Sequence, residues 1–159
     1  MAHEIERKYL VDTSLWRPAG PGVLYRQGYL SSAIDRVVRI RIAGDQAFLT
    51  IKGANEGISR LEFEYPMPVA DAAEMLDKLA QKPLIEKTRH REAYAGRDWE
   101  IDVFHGDNEG LVLAEVELPD VDATVSPPPW VLAEVSDDPR YYNSNLVANP
   151  YKRWRTDGG

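Results

Sequence analysis

Eight segments of this chain alternate apolar and charged residues with period two, and most are joined by short turns. Alternation of this kind sets successive side chains on opposite faces of a strand. The segments run over about residues 3–11, 23–32, 36–43, 46–52, 59–66, 84–94, 97–104 and 111–118. Ala43-Gly44-Asp45, Gly53 to Gly57, Ala95-Gly96 and Gly106 to Gly110 read as the turns between them. Such short connections imply antiparallel hairpins. A helix interrupts the series at 69–81, introduced by Pro68 and stopped before Pro83, with Val69, Ala72, Ala73, Leu76, Leu79 and Ala80 as its apolar stripe. Beyond the Pro127-Pro128-Pro129-Trp130 break, a short helix is expected around 143–149. Closure removes unpaired edges, so the expected fold class is mainly β (α+β), a closed eight-stranded antiparallel β-barrel with a few flanking helices. One domain is expected over 1–150, with 151–159 as a frayed, mildly basic tail.

Composition removes several alternatives. The chain has no cysteine, which excludes disulfides and thiolate metal sites. No apolar run approaches the roughly 20 residues that span a bilayer, and no basic segment precedes an apolar one at the N-terminus. The cytoplasm is the default compartment, and no membrane partner is expected. A net charge of −7 argues against a general nucleic-acid binder. Monomer and homodimer both remain open.

The charged rows differ in sign from strand to strand. In the first, Glu4, Glu6 and Lys8 share a face, and successive members of such a row stand about 7 Å apart. Arg39 and Arg41 oppose Val38, Ile40 and Ile42 in the third, and Lys52 opposes Leu49 and Ile51 in the fourth. The fifth sets Arg60, Glu62 and Glu64 against Leu61, Phe63 and Tyr65. Lys87, Arg89 and Arg91 share a row in the sixth, while Glu100 and Asp102 in the seventh and Glu115 and Glu117 in the eighth are acidic. A single row of this kind is an ordinary solvated sheet face. Together, with the apolar rows against helices and the sheet closed, the charged rows line the inside. A dry interior cannot hold them, because each buried ion costs several kcal/mol. A wet lumen with basic and acidic walls suits a polyanion accompanied by a hard divalent cation, such as a triphosphate with Mg²⁺ or Mn²⁺.

Glu4-Ile5-Glu6-Arg7-Lys8 resembles the ExExK signature of CYTH-domain proteins, the triphosphate tunnel metalloenzymes. The similarity continues through Arg26-Gln27-Gly28-Tyr29-Leu30, Arg39-x-Arg41, Thr50-x-Lys52, Ser59-Arg60-x-Glu62-x-Glu64, Glu86-Lys87-Thr88-Arg89, Glu100-x-Asp102-x-Phe104 and Glu115-x-Glu117. The Pro-Pro-Pro-Trp break and Asp138 to Asn143 resemble the short bacterial branch, so the likeness covers residues 3 to about 149. It implies a tunnel of eight antiparallel strands that binds a linear triphosphate and a divalent metal. Short bacterial members hydrolyse inorganic triphosphate to pyrophosphate and phosphate; others are RNA triphosphatases, thiamine triphosphatases or class IV adenylate cyclases. Fold membership does not choose among them, and a non-catalytic polyphosphate or nucleotide binder remains a rival.

Glu4, Glu6 and Glu117 are the foremost expected ligands of Mg²⁺ or Mn²⁺, with Glu115 and Asp102 as further candidate ligands or as groups that hold the ligands in place. Arg39, Arg41, Lys52, Lys87 and Arg89, joined by Arg60, are expected to clamp the phosphates. Lys8 is the residue expected beside the attacked phosphorus or its water, with Lys87 as the second catalytic candidate. Lys8 can act as a base only if cationic neighbours depress its pKa. Glu62, Glu64 and Glu100 are supporting acids that hold basic side chains or, for Glu62 and Glu64, a second metal. Tyr29 either hydrogen-bonds a lysine in the lumen or simply packs. The C-terminal helix near Leu146 and Val147 is expected to close one tunnel mouth. His3, His90 and His105 have no zinc spacing, Gly106 to Gly110 is not a calcium loop, and no GxxxxGK[ST] is present. The four tryptophans are expected in the core and against helices.

Overall fold

The computed structural model, which describes residues 3–155, turns every alternating segment into a strand. These are β1 (His3–Val11), β2 (Val23–Ala33), β3 (Arg36–Ala43), β4 (Gln46–Gly53), β5 (Ser59–Met67), β6 (Ile85–Tyr94), β7 (Arg97–Phe104) and β8 (Val112–Glu117). All pairings are antiparallel, in the order β5-β4-β3-β2-β6-β7-β8-β1, and β1 returns to β5 to close the ring. Closure depends on β1 using both edges. On one edge Glu6 lies opposite Glu117 and Lys8 opposite Glu115 of β8. On the other, His3, Glu4 and Ile5 face Leu61, Arg60 and Ser59 of β5. A ninth strand, β9 (Val131–Glu134), occupies the rest of that edge beside Tyr9 and Val11. The sequence does not announce β9, because four residues are too few to show a period.

Apolar packing lies outside the ring and at one end of it. Helix α1 (Val69–Lys78) buries Ala72 and Leu76 against Ile40 and Ala47 of β3 and β4. It stops at Lys78 rather than reaching 81. Beyond the stop, the Gln81 N–H donates to the Tyr29 carbonyl at 2.9 Å, turning the chain onto β2. A second cluster joins Tyr9, Trp16, Trp99 and Trp130, with Trp99 and Trp130 edge to face at 5.9 Å between ring centroids. The third cluster combines Tyr29, Val37, Ile85, Phe104 and Leu113 with Tyr141, Leu146 and Val147. Each of the first five sits two residues from Gln27, Arg39, Lys87, Asp102 or Glu115, so the inward rows themselves turn apolar there. Helix α2 (Asn145–Ala148) brings Leu146 and Val147 onto that apolar end, as expected.

Two expectations need correction. The outer row of β5 is not covered by a helix: Leu61, Phe63 and Tyr65 are 46%, 42% and 55% exposed, because α1 buries its apolar face chiefly on Ile40 and Ala47 of β3 and β4. Nor is the tail loose as far as it is described. Tyr151 donates its N–H to Asn108 Oδ1 (2.8 Å), and Trp154 packs edge to face on Tyr141 at 5.1 Å. Aromatic side chains at 151 and 154 find a partner in the apolar end of the barrel; residues 156–159 lie outside the described residues.

Gly28 marks where α1 meets the sheet. A Cβ there would lie 2.7 Å from Ala80 Cβ, 2.8 Å from Leu84 Cδ2 and 3.0 Å from Leu76 Cδ2. Gly28→Ala is therefore expected to cost about 1–3 kcal/mol by overpacking, lowering the melting temperature by roughly 2–10 °C. An unchanged thermal melt would show that α1 shifts without cost.

Candidate active site

The inward rows enclose a cavity of about 740 Å³ lined by Glu4, Glu6 and Lys8 on one side and by Arg39, Arg41 and Arg89 among others. Strand parity puts these side chains inside, and the register aligns them in an acidic and a basic sector.

The acidic sector is crowded. Lys52 Nζ stands between Glu4 Oε2 (3.0 Å) and Glu62 Oε2 (3.3 Å). Glu4 Oε2 is buried and, despite that ion pair, accepts no well-angled hydrogen bond. Burial works against its charge, but Lys52 and the adjacent Glu62 and Glu6 carboxyls hold Glu4 ionised, far below the usual carboxylate range. Its neighbours bear the consequence. Burial, then the charges of Glu115 and Glu4, push Glu6 well up. Burial and contact with Glu4 push Glu62 up to about 7. Glu117, opposite Glu6 and exposed, is raised by partial burial and by Glu4 and Glu100. Among the described residues no three His, Asp or Glu side chains are already gathered around one point as metal ligands.

The basic sector has a well-satisfied half and a less satisfied one. Asp102 receives Arg89 through Nε (2.8 Å) and Nη2 (2.9 Å), and Lys87 Nζ lies 2.8 Å from its Oδ2. Burial opposes the Asp102 charge, but Arg89 and Lys87 hold it strongly ionised. Glu100 takes Arg89 Nη1 at 3.1 Å and Arg91 Nη2 at 3.2 Å. Arg39 reaches Thr50 Oγ1 (3.1 Å) and Glu64 Oε2 (3.4 Å), while its buried Nε has no partner among the described residues. Arg41 gives Nε to Gln27 Oε1 at 2.8 Å. Burial, Arg39 and Arg89 bring Arg41 down to about 10. Arg60 is tied through Nε and Nη2 to the Gly53 carbonyl.

The two lysines behave oppositely. Lys8 donates to the Tyr141 carbonyl (3.2 Å) and pairs with Glu115 at 3.5 Å. Burial lowers its pKa, but Glu115, Glu6 and Asp102 outweigh that and raise it, so its neighbours do not supply the cationic depression a base role requires. Burial opposes the Glu115 charge in turn, but Lys8 and Arg89 hold that carboxyl at about 2. Lys87, nearly inaccessible, is brought down to about 7 by burial foremost and by Arg89 and Arg41, against the pull of Asp102.

The structure thus gathers Glu4, Glu6, Glu62, Glu115, Glu117 and Lys52 around one side of the cavity, and Arg39, Arg41, Lys87 and Arg89 around the other. Asp102 does not join the first group; both its oxygens serve the bases. The Tyr29 hydroxyl accepts from Gln27 Nε2 at 2.9 Å rather than from a lysine. Gln27, part of the Arg26 to Leu30 motif, had no role assigned from sequence. Fully buried, it links Arg41, Tyr29 and, at 3.3 Å, Asn143, whose Oδ1 also takes Lys87 Nζ at 2.9 Å. Its place between Tyr25 and Tyr29 on the inward row of β2 was the available signal; Asn143 lies outside any periodic segment and offered none.

A protein of this topology and lining is a charged-lumen β-barrel, and comparison with known proteins says which kind. The CYTH domain model matches residues 2–142. The chain is 50% identical over 155 residues to an inorganic triphosphatase of Acetivibrio thermocellus, covering 98% of this chain and 99% of that one. It is 40% identical over 150 residues to an inorganic triphosphatase of Nitrosomonas europaea, covering 91% and 96%. A crystal structure of an inorganic triphosphatase superposes with a TM-score of 0.65 at 37% identity, covering 92% of this chain and 95% of that one. The chain belongs to the CYTH domain family.

The raised carboxyls give a pH signature. Glu62 ionises near 4.5 when unfolded and near 7 when folded, so between these values the folded state holds the extra proton. Its contribution to stability is therefore lost as pH rises through about 7, and Glu6 acts in the same sense. In the presence of a chelator, lowering the pH from 7 to 5 should stabilise the wild-type protein more than Glu62→Gln. Parallel melting curves for the two would refute the carboxylate crowding.

Proposed function

We propose that this protein hydrolyses inorganic triphosphate to pyrophosphate and phosphate inside the barrel, with one water consumed per anhydride bond broken. The observation that carries the reading is the double mismatch in the cavity. Burial and neighbouring carboxylates push Glu6 and Glu62 up despite Lys52, while burial with Arg39 and Arg89 brings Arg41 down. A triphosphate with a divalent metal supplies the opposite charge to both groups. The full-length relatives, both named inorganic triphosphatases, support the same activity and do not favour the adenylate cyclase alternative.

Carboxylate oxygens suit a hard cation, and Glu4 Oε2, which pairs with Lys52 but accepts no well-angled hydrogen bond, fits one beside two raised carboxyls. Glu4, Glu6 and Glu117 would hold Mg²⁺ or Mn²⁺. Bound there, the metal would neutralise phosphate charge and lower the pKa of a water. Arg39, Arg41, Lys52, Lys87 and Arg89 bind the phosphate oxygens. Asp102, Glu100 and Glu64 hold the guanidinium groups in place. Lys8 remains an ammonium, stabilising charge at the reacting phosphate; a neighbouring polyanion keeps Lys87 cationic as well. Phosphoryl transfer needs mainly such positioning and charge stabilisation. Arg60, bonded to the backbone, orders β4 and β5 beside the site. One domain takes in the described residues through the packed Tyr151 and Trp154, and the cytoplasm is the compartment we assign; among the described residues no helix is long and apolar enough to cross a membrane.

Purified protein with Mg²⁺ or Mn²⁺ should release phosphate from tripolyphosphate faster than from ATP. Glu4→Ala or Glu6→Ala should abolish turnover while keeping the fold. Correctly folded wild-type protein inert on both substrates would remove the enzymatic claim, leaving a binder that ligands stabilise without turnover.

A further inference from the structure

Tyr25 is a buried member of the inward row of β2, two residues before Gln27. Its ring carries two guanidinium groups: Arg41 Cζ lies 4.9 Å from the centroid and Arg89 Cζ 4.8 Å. Arg41 comes from β3 and Arg89 from β6, the two neighbours of β2, so they approach from either side of the strand that carries the ring. The hydroxyl meets a third cation, accepting from Arg91 Nη2 at 3.4 Å. These groups repel one another: Arg89 is among the causes that depress Arg41.

We propose that Tyr25 is a positioning residue whose ring spaces Arg41 and Arg89 so that each can meet a separate phosphate of the bound chain. The inference rests on reading the cavity as a triphosphate site. An aromatic face attracts each cation and so holds both beside it against their mutual repulsion. An aliphatic side chain of similar bulk fills the volume without that attraction. Arg89 then keeps Asp102, while among the described residues Arg41 is left with its hydrogen bond to Gln27. The loss falls on substrate binding, because the ring touches the clamp and not the carboxylate sector. Phenylalanine preserves the ring and removes only the long Arg91 contact.

The test compares the full-length wild type with Tyr25→Phe and Tyr25→Leu, and Tyr25→Met should leucine unfold, using tripolyphosphate and Mg²⁺. The aliphatic variants should raise KM about tenfold with kcat within about threefold, and Tyr25→Phe should stay within about twofold of wild type. The tripolyphosphate concentration giving half-maximal thermal stabilisation should shift in the same order, independently of turnover. Unchanged KM and unchanged half-stabilising concentration in the aliphatic variants would overturn the proposal. So would a phenylalanine variant as impaired as leucine, or a fall confined to kcat. Wild-type inactivity would instead strike at the hydrolytic function, with the stabilisation shift still deciding the role of Tyr25.

Discussion

Segregated charge on the inner face of a closed sheet is the constraint from which the rest follows. A ring of antiparallel strands leaves alternate side chains no choice but to point inward. Were acids and bases interspersed there, they would neutralise one another in pairs, as Asp102 does with Arg89 and Lys87. Instead β1 and β8 bring Glu4, Glu6, Glu115 and Glu117 together, with β5 adding Glu62, while β3 and β6 bring Arg39, Arg41 and Arg89. Within each sector burial and like-charged neighbours work against the charges, as Glu6, Glu62 and Arg41 show. The site is therefore complementary to a pair of opposite charges held a short distance apart, which a metal–phosphate complex is.

Stability and function are divided between regions of the same strands. The outward rows pack under α1 and around Trp99 and Trp130, and the inward rows become apolar where Leu146 and Val147 close the barrel. These contacts account for the fold. The charged middle of the lumen contributes less, since its ions are costly to desolvate even when paired. That division lets the cavity hold unsatisfied groups without unfolding the barrel. The plug also reaches into the site, since Asn143 of the plug segment binds Lys87 and the Tyr141 carbonyl binds Lys8.

Much of this was legible in the sequence because period-two alternation records both the strands and their faces. The eight barrel strands and their charged lining residues follow from it, and the helix after Pro68 follows from its own apolar stripe. What escaped depends on three-dimensional neighbours. Leu61, Phe63 and Tyr65 alternate as a buried row does, yet they stay exposed. Asp102 shares its row with Glu100, but its neighbours across β6 decide that it serves the bases. Lys8 and Lys87 look equivalent as letters; the carboxylates around one and the guanidinium groups around the other separate them. Tyr25 and Gln27 sit on a strand whose charges lie elsewhere, so nothing in β2 alone marked them as partners of Arg41.

The most direct measurement is a crystal structure of the protein with Mn²⁺ and a non-hydrolysable triphosphate analogue, with the metal located by its anomalous signal. The electrostatic reading puts manganese at the carboxylates of Glu4 and Glu6 and the phosphate oxygens at Arg39, Arg41 and Arg89. Manganese and analogue bound on the outer surface, with the charged lumen filled only by its own side chains, would contradict it.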